Sequence, residues 1–72
     1  MEITAEQHEE MTAIADTVRD LGGKPTFQHK SNWPWYKPLI DAGLVAMGPH
    51  PDFSDDFKAV WLTAAGMSAI GR

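Results

Sequence analysis

The sequence predicts a small α+β domain: an N-terminal helix, a short central helix, a β-hairpin with a long connection, and a short C-terminal helix. Three observations carry this expectation. Apolar residues recur at helical spacing from Met11 to Leu21, where Gly22 and Gly23 stop them. LIDAGLV, from Leu39 to Val45, reads as the end of a short helix that runs through a Gly into a strand. AVWLTAAGMSAI, from Ala59 to Ile70, reads as a returning strand that stops at a Thr helix cap.

In the first helix, Thr4 and Gln7 fit a capping box, with Ile3 placed to staple against the first turn. Met11, Ile14, Ala15, Val18 and Leu21 form one apolar face, and Pro25 prevents the helix from restarting. The other face carries Glu2, Glu6, Glu9, Glu10, Asp16 and Asp20. It reads first as a solvated face, with acids favourably near the positive N-terminal end of the helix, and second as an acidic stripe that docks a basic partner. Thr26, Phe27 and Gln28 form a short strand, and His29 to Asn32 leaves room for little more than a turn.

Asn32 or Ser31 is the expected cap of the central helix, with Pro34 near its first position. Pro38 removes a further helical hydrogen bond, so this helix should be bent or late-starting, regular only from about Tyr36 to Ala42. Gly43 ends it. The hairpin connection, Gly48 to Phe57, holds Pro49, Pro51 and three Asp residues, too much chain for a two-residue turn. On the return strand Lys58, Val60 and Leu62 share one face, and Ala59 and Trp61 the other. Thr63 caps the last helix, whose Met67 and Ile70 close the core. The expected core is Met11, Ile14, Val18, Leu21, Leu39, Ile40, Leu44, Val60, Leu62 and Ile70, with at least one of Trp33, Trp35 and Trp61 inside it.

The strings L-x-x-x-G-L-V (Leu39 to Val45) and L-T-x-x-G (Leu62 to Gly66) resemble those that flank the wing in winged-helix domains. The resemblance covers roughly residues 33–70 and implies a reduced winged-helix fold, since the segment where a second helix usually lies is nearly absent. It implies DNA binding or protein binding, because this fold serves both.

Composition narrows the function classes. With 72 residues there is room for one domain, 1–72, and one small core. A hydrophobic share of 43% against 22% charged is globular rather than disordered. No cysteine is present, so neither disulfides nor thiolate metal sites are expected. No apolar run reaches the roughly 20 residues of a membrane span, and no signal peptide is visible; a cytoplasmic protein is expected. His8, His29 and His50 are dispersed, and Asp52, Asp55 and Asp56 lack the order of a calcium loop. With no phosphate loop and no nucleophile elbow, neither an enzyme, a metal site, a cofactor nor a small-molecule substrate is expected.

Charge is unevenly distributed within a net of −4. Residues 1–21 carry −5, residues 22–40 carry +3, and residues 41–57 carry −4. The basic stretch coincides with the region that, by the resemblance, enters the major groove. Its candidate binding residues are Lys24, Gln28, His29, Lys30, Ser31, Asn32, Trp33, Trp35 and Lys37, donors for bases and phosphates beside flat aromatic surface. The first expectation is therefore a small DNA-binding transcriptional regulator, in which a homodimer would double the phosphate contacts. The second is an acidic protein-binding module, an adaptor or phage-type inhibitor of a host protein, acting through the aromatic patch or the acidic faces. The phage comparison rests on size and composition alone.

Overall fold

Helix α1 (Ala5–Asp20) starts as its cap dictates. Thr4 Oγ1 accepts the Gln7 N–H at 3.1 Å, and Gln7 Oε1 accepts the Thr4 N–H at 2.8 Å. The computed structural model describes residues 2–50, 52 and 54–72. After α1 come β1 (Thr26–His29), one 3₁₀ turn (Lys30–Asn32), α2 (Trp33–Asp41), β2 (Val45–Pro49), β3 (Phe57–Leu62) and α3 (Ala64–Ala69). The three strands form one antiparallel sheet in the order β1-β3-β2, with β3 central. The hairpin connection is long, as expected; its Pro51 lies outside the described residues.

Helix α2 departs from expectation. It starts at Trp33, three residues before the expected Tyr36, and accommodates both prolines. Pro34 sits in the first turn, where a missing N–H breaks no helical bond. Pro38 lies within the helix, but it and Pro34 are exposed, so the carbonyl that Pro38 cannot serve is left toward water. Asn32 precedes the helix without a side-chain capping bond; its Nδ2 donates instead to Gln28 Oε1 at 2.8 Å. Ser31 turns to His29 rather than to the helix.

Met11, Ile14, Tyr36, Leu39, Val45 and Val60 form the fully enclosed core, flanked by Ile3, Val18, Ile40, Leu44, Met47, Leu62 and Ile70. Two expectations are corrected. Leu21 is 48% exposed, because the helix ends at Asp20 and Leu21 is its C-cap, past the last turn that faces the sheet. No tryptophan enters the core: Trp33, Trp35 and Trp61 are 38–42% exposed, and Tyr36, 3% exposed, is the aromatic that fills it. Tyr36 satisfies its hydroxyl by donating to Glu10 Oε1 at 3.1 Å, so its ring can be buried with no polar atom stranded. On β3, Val60 lies between Met47 and Thr26, while Ala59, between Gly48 and Phe27 on the other face, is buried as well.

The two strings singled out in the sequence meet in space. Gly43 adopts φ +75° to turn the chain from α2 into β2. Its carbonyl accepts the Thr63 hydroxyl at 2.5 Å, and the Leu44 carbonyl accepts the Thr63 N–H at 3.1 Å. Thr63 Oγ1 in turn accepts the Gly66 N–H at 3.0 Å, capping α3. Gly66 is buried on the Leu44 backbone, so closely that a Cβ there would lie 2.0 Å from the Leu44 oxygen. One threonine and two glycines thus clasp the end of α2 to the start of α3.

Candidate binding surface

The predicted basic stretch is exposed, but two of its three lysines are neutralised where they stand. Lys30 Nζ lies 2.9 Å from Asp56 Oδ1, and the Lys30 N–H donates to the Asp56 carbonyl at 2.8 Å, tying the 3₁₀ turn to the hairpin connection. The Lys30 ammonium, through its hydrogen bond and then its charge, holds the Asp56 carboxyl below the usual carboxylate range. Lys37 Nζ lies 2.8 Å from Asp41 Oδ2, one helical turn along α2. Lys24 is exposed between Gly23 and Pro25.

The polar candidates are largely engaged with one another. Gln28 accepts from Asn32. His29 Nδ1 accepts the Ser31 N–H at 3.2 Å and lies 2.9 Å from Ser31 Oγ, while its ring stands edge-on to Phe57 with centroids 5.4 Å apart. The exposed face of α2 therefore presents Trp33, Pro34, Trp35 and Pro38 with one paired lysine.

A combination that the sequence did not reveal lies beside it. Glu6, Glu9, Glu10 and Ala13, at helical spacings of three and four, line one flank of α1. With Trp35 from α2 they enclose an open groove of about 390 Å³. Trp35 is packed edge-on against Tyr36, with centroids 4.9 Å apart at 79°. The Tyr36 hydroxyl in turn anchors the Glu10 carboxylate. Burial, and then the Glu10 charge, push the Tyr36 hydroxyl pKa well above its ordinary value. A second hollow, bounded by Glu10, Gln28, Asn32, Trp35 and Tyr36, continues this surface toward β1. Among the described residues, Glu6, Glu9 and Glu10 have no ion-pair partner.

No family model, curated protein or solved structure matches this chain. Among the described residues no group of three or more His, Asp or Glu side chains is placed to hold a metal ion, and no helix is long and apolar enough to cross a membrane. His8 lies exposed on α1, and His50 Nδ1 accepts the Asp52 N–H at 3.1 Å within the hairpin connection.

The groove was only half legible in the sequence. The spacing of Glu6, Glu9, Glu10 and Ala13 places them on one flank of a helix. Which aromatic would face them depends on Tyr36, rather than a tryptophan, entering the core. Burying Tyr36 leaves its neighbour Trp35 outside, against α1.

Proposed function

We propose that this protein is a non-catalytic, protein-binding module that takes a basic segment of its partner on the α1–α2 surface. One observation carries the reading: Trp35 shares a groove with three carboxylates that, among the described residues, have no cation as partner. An Arg or Lys side chain laid over the indole would gain a cation–π contact, about 0.5–1 kcal/mol at an exposed site and more when desolvated. Glu6, Glu9 and Glu10 would pair with it or its neighbours and speed the encounter. Exposed tryptophan is the residue type that most often anchors an interface.

A reduced winged helix is the fold we propose, on the order of elements, the hairpin β2–β3 and the clasp that links its two flanking strings. DNA binding through residues 24–37 is the second reading, favoured by the exposure of Lys24, Lys30 and Lys37. It ranks second because Lys30 and Lys37 would have to exchange carboxylates for phosphates, and three lysines release few counterions.

The test is a titration with a synthetic Arg- and Lys-bearing peptide against the protein and its Glu6→Gln/Glu9→Gln/Glu10→Gln variant. The reading expects slower association and a shallower salt dependence in the variant. Unchanged binding of the basic peptide would overturn it.

A further inference from the structure

The opposite flank of α1 carries a second groove of different chemistry, about 520 Å³ in volume and open to solvent. Its walls are almost wholly apolar: Val18 from α1, Pro25 from the segment before β1, Trp61 and Leu62 from the end of β3, and Met67 from α3. Trp61 is 38% exposed there, a large apolar surface at the mouth rather than in the core. The volume falls within the range of about 300–1,000 Å³ common for binding sites.

The rim sets three cations, Arg19, Lys24 and Arg72, against two carboxylates, a small positive excess in a chain whose net charge is −4. Arg19 lines the groove, and Lys24 stands exposed between Gly23 and Pro25, both of which also line it. Arg72 reaches the same end of α1 by pairing with Asp16. Three of the six cations of the protein are therefore gathered here, against Asp16 and Asp20. Arg19 is only loosely held, 3.5 Å from Asp16 and 3.4 Å from Asp20, with its side chain 68% exposed. Asp16 is engaged more closely by Arg72.

We infer that this groove docks a short amphipathic segment of a protein partner, one that presents apolar anchors flanked by carboxylates. The anchors would fill the space between Val18, Trp61 and Met67, and a carboxylate would take the Arg19 guanidinium, whose planar fork suits bidentate pairing. Because this flank favours acidic segments and the Glu6–Trp35 flank favours basic ones, the two surfaces select different partners. The inference stands independently of the basic-partner reading.

Three synthetic peptides test it, sharing one helical pattern of leucines and flanked by Glu, by Gln or by Lys. Each is titrated into the protein while amide and indole NMR signals are followed. The Glu-flanked peptide should bind tightest and shift Val18, Trp61 and Met67. Arg19→Gln, which removes the charge without adding a carboxylate beside Asp16 and Asp20, should weaken that peptide by about two- to fivefold and leave the Lys-flanked peptide no weaker. Trp61→Ala should weaken all three peptides. Tighter or equal binding of the Lys-flanked peptide overturns the inference. So does a shift map centred on Trp35, a failure of all three to bind, or concentration-dependent self-association that occupies the groove without peptide.

Discussion

Replacing Gly66 with Ala should destabilise the protein, although alanine is the better helix former by about 0.8–1 kcal/mol in a helix interior. A Cβ at this position would lie 2.0 Å from the Leu44 oxygen and 2.9 Å from the Leu44 carbonyl carbon. Even close C–H···O contacts run at about 3.3–3.6 Å, so α3 would have to retreat by more than about 1 Å. The obstacle is backbone, held by the Thr63 N–H on the same oxygen, and cannot rotate away as a side chain would. Retreat would loosen the Thr63 bond to Gly43 and pull Ile70 from the core edge. Overpacking costs about 1–3 kcal/mol, and this geometry belongs at the upper end. Less the propensity gain, the net loss is about 2 kcal/mol, or a fall in Tm of about 8–16 °C for a domain of this size. Thermal unfolding followed by circular dichroism measures it. Gly48→Ala is the control, since its Cβ would meet the Trp61 ring at an ordinary 3.6 Å. That variant should stay within about 1 kcal/mol of the parent. A Gly66→Ala protein that melts at or above the parent temperature would refute the clasp.

Leu39→Ala should cost about 2–5 kcal/mol, because Leu39 is fully enclosed, whereas Leu21→Ala, at a 48% exposed cap, should lie within about 0.5 kcal/mol of the parent by chemical denaturation. The folded-state pKa of Tyr36 is raised, so its contribution is fully present below the unfolded tyrosine value of about 10 and is lost as pH rises beyond it. An alkaline stability profile should show that decline in the parent and a shallower one in Tyr36→Phe, which keeps the part owed to Lys30, itself raised by Asp56. The Asp56 carboxyl is depressed by Lys30, so its contribution is present above the unfolded value of about 3.9 and lost as pH falls through the folded value. Since both side chains are largely exposed, added salt should flatten that acid dependence, and Asp56→Asn should reduce it in the same titration to the part that Asp16, depressed by Arg72, contributes.

The parts of the fold legible in the sequence are those fixed by local chemistry. Thr4 with Gln7, Thr63 with Gly66, and the Gly43 turn each act within a few residues, and each appears where expected. Helix α2 starts earlier than the sequence suggests, because Pro38 costs a helical bond without breaking the helix. Pro34 falls where no helical N–H is needed, and Pro38 faces water. The choice between Tyr36 and the tryptophans for the core is a tertiary matter. It turns on whether a hydroxyl finds Glu10, 26 residues away, which no local pattern encodes. Likewise, the run of lysines was visible, but the carboxylate that neutralises Lys30 comes from the hairpin connection, brought near only by the pairing of β1 with β3.

The most direct test of the binding surface is a parallel titration of the protein with an Arg-bearing peptide and with duplex DNA at low salt, following the Trp35 indole N–H by NMR. A protein-binding module using Trp35 predicts that the peptide shifts this signal and the flanking Glu6, Glu9 and Glu10 amides. It also predicts that Trp35→Ala weakens the peptide by about 30-fold, the loss of an interface anchor worth about 2 kcal/mol. DNA binding tighter than the peptide, with shifts on Lys24, Lys30 and Lys37 and none at Trp35, would contradict it.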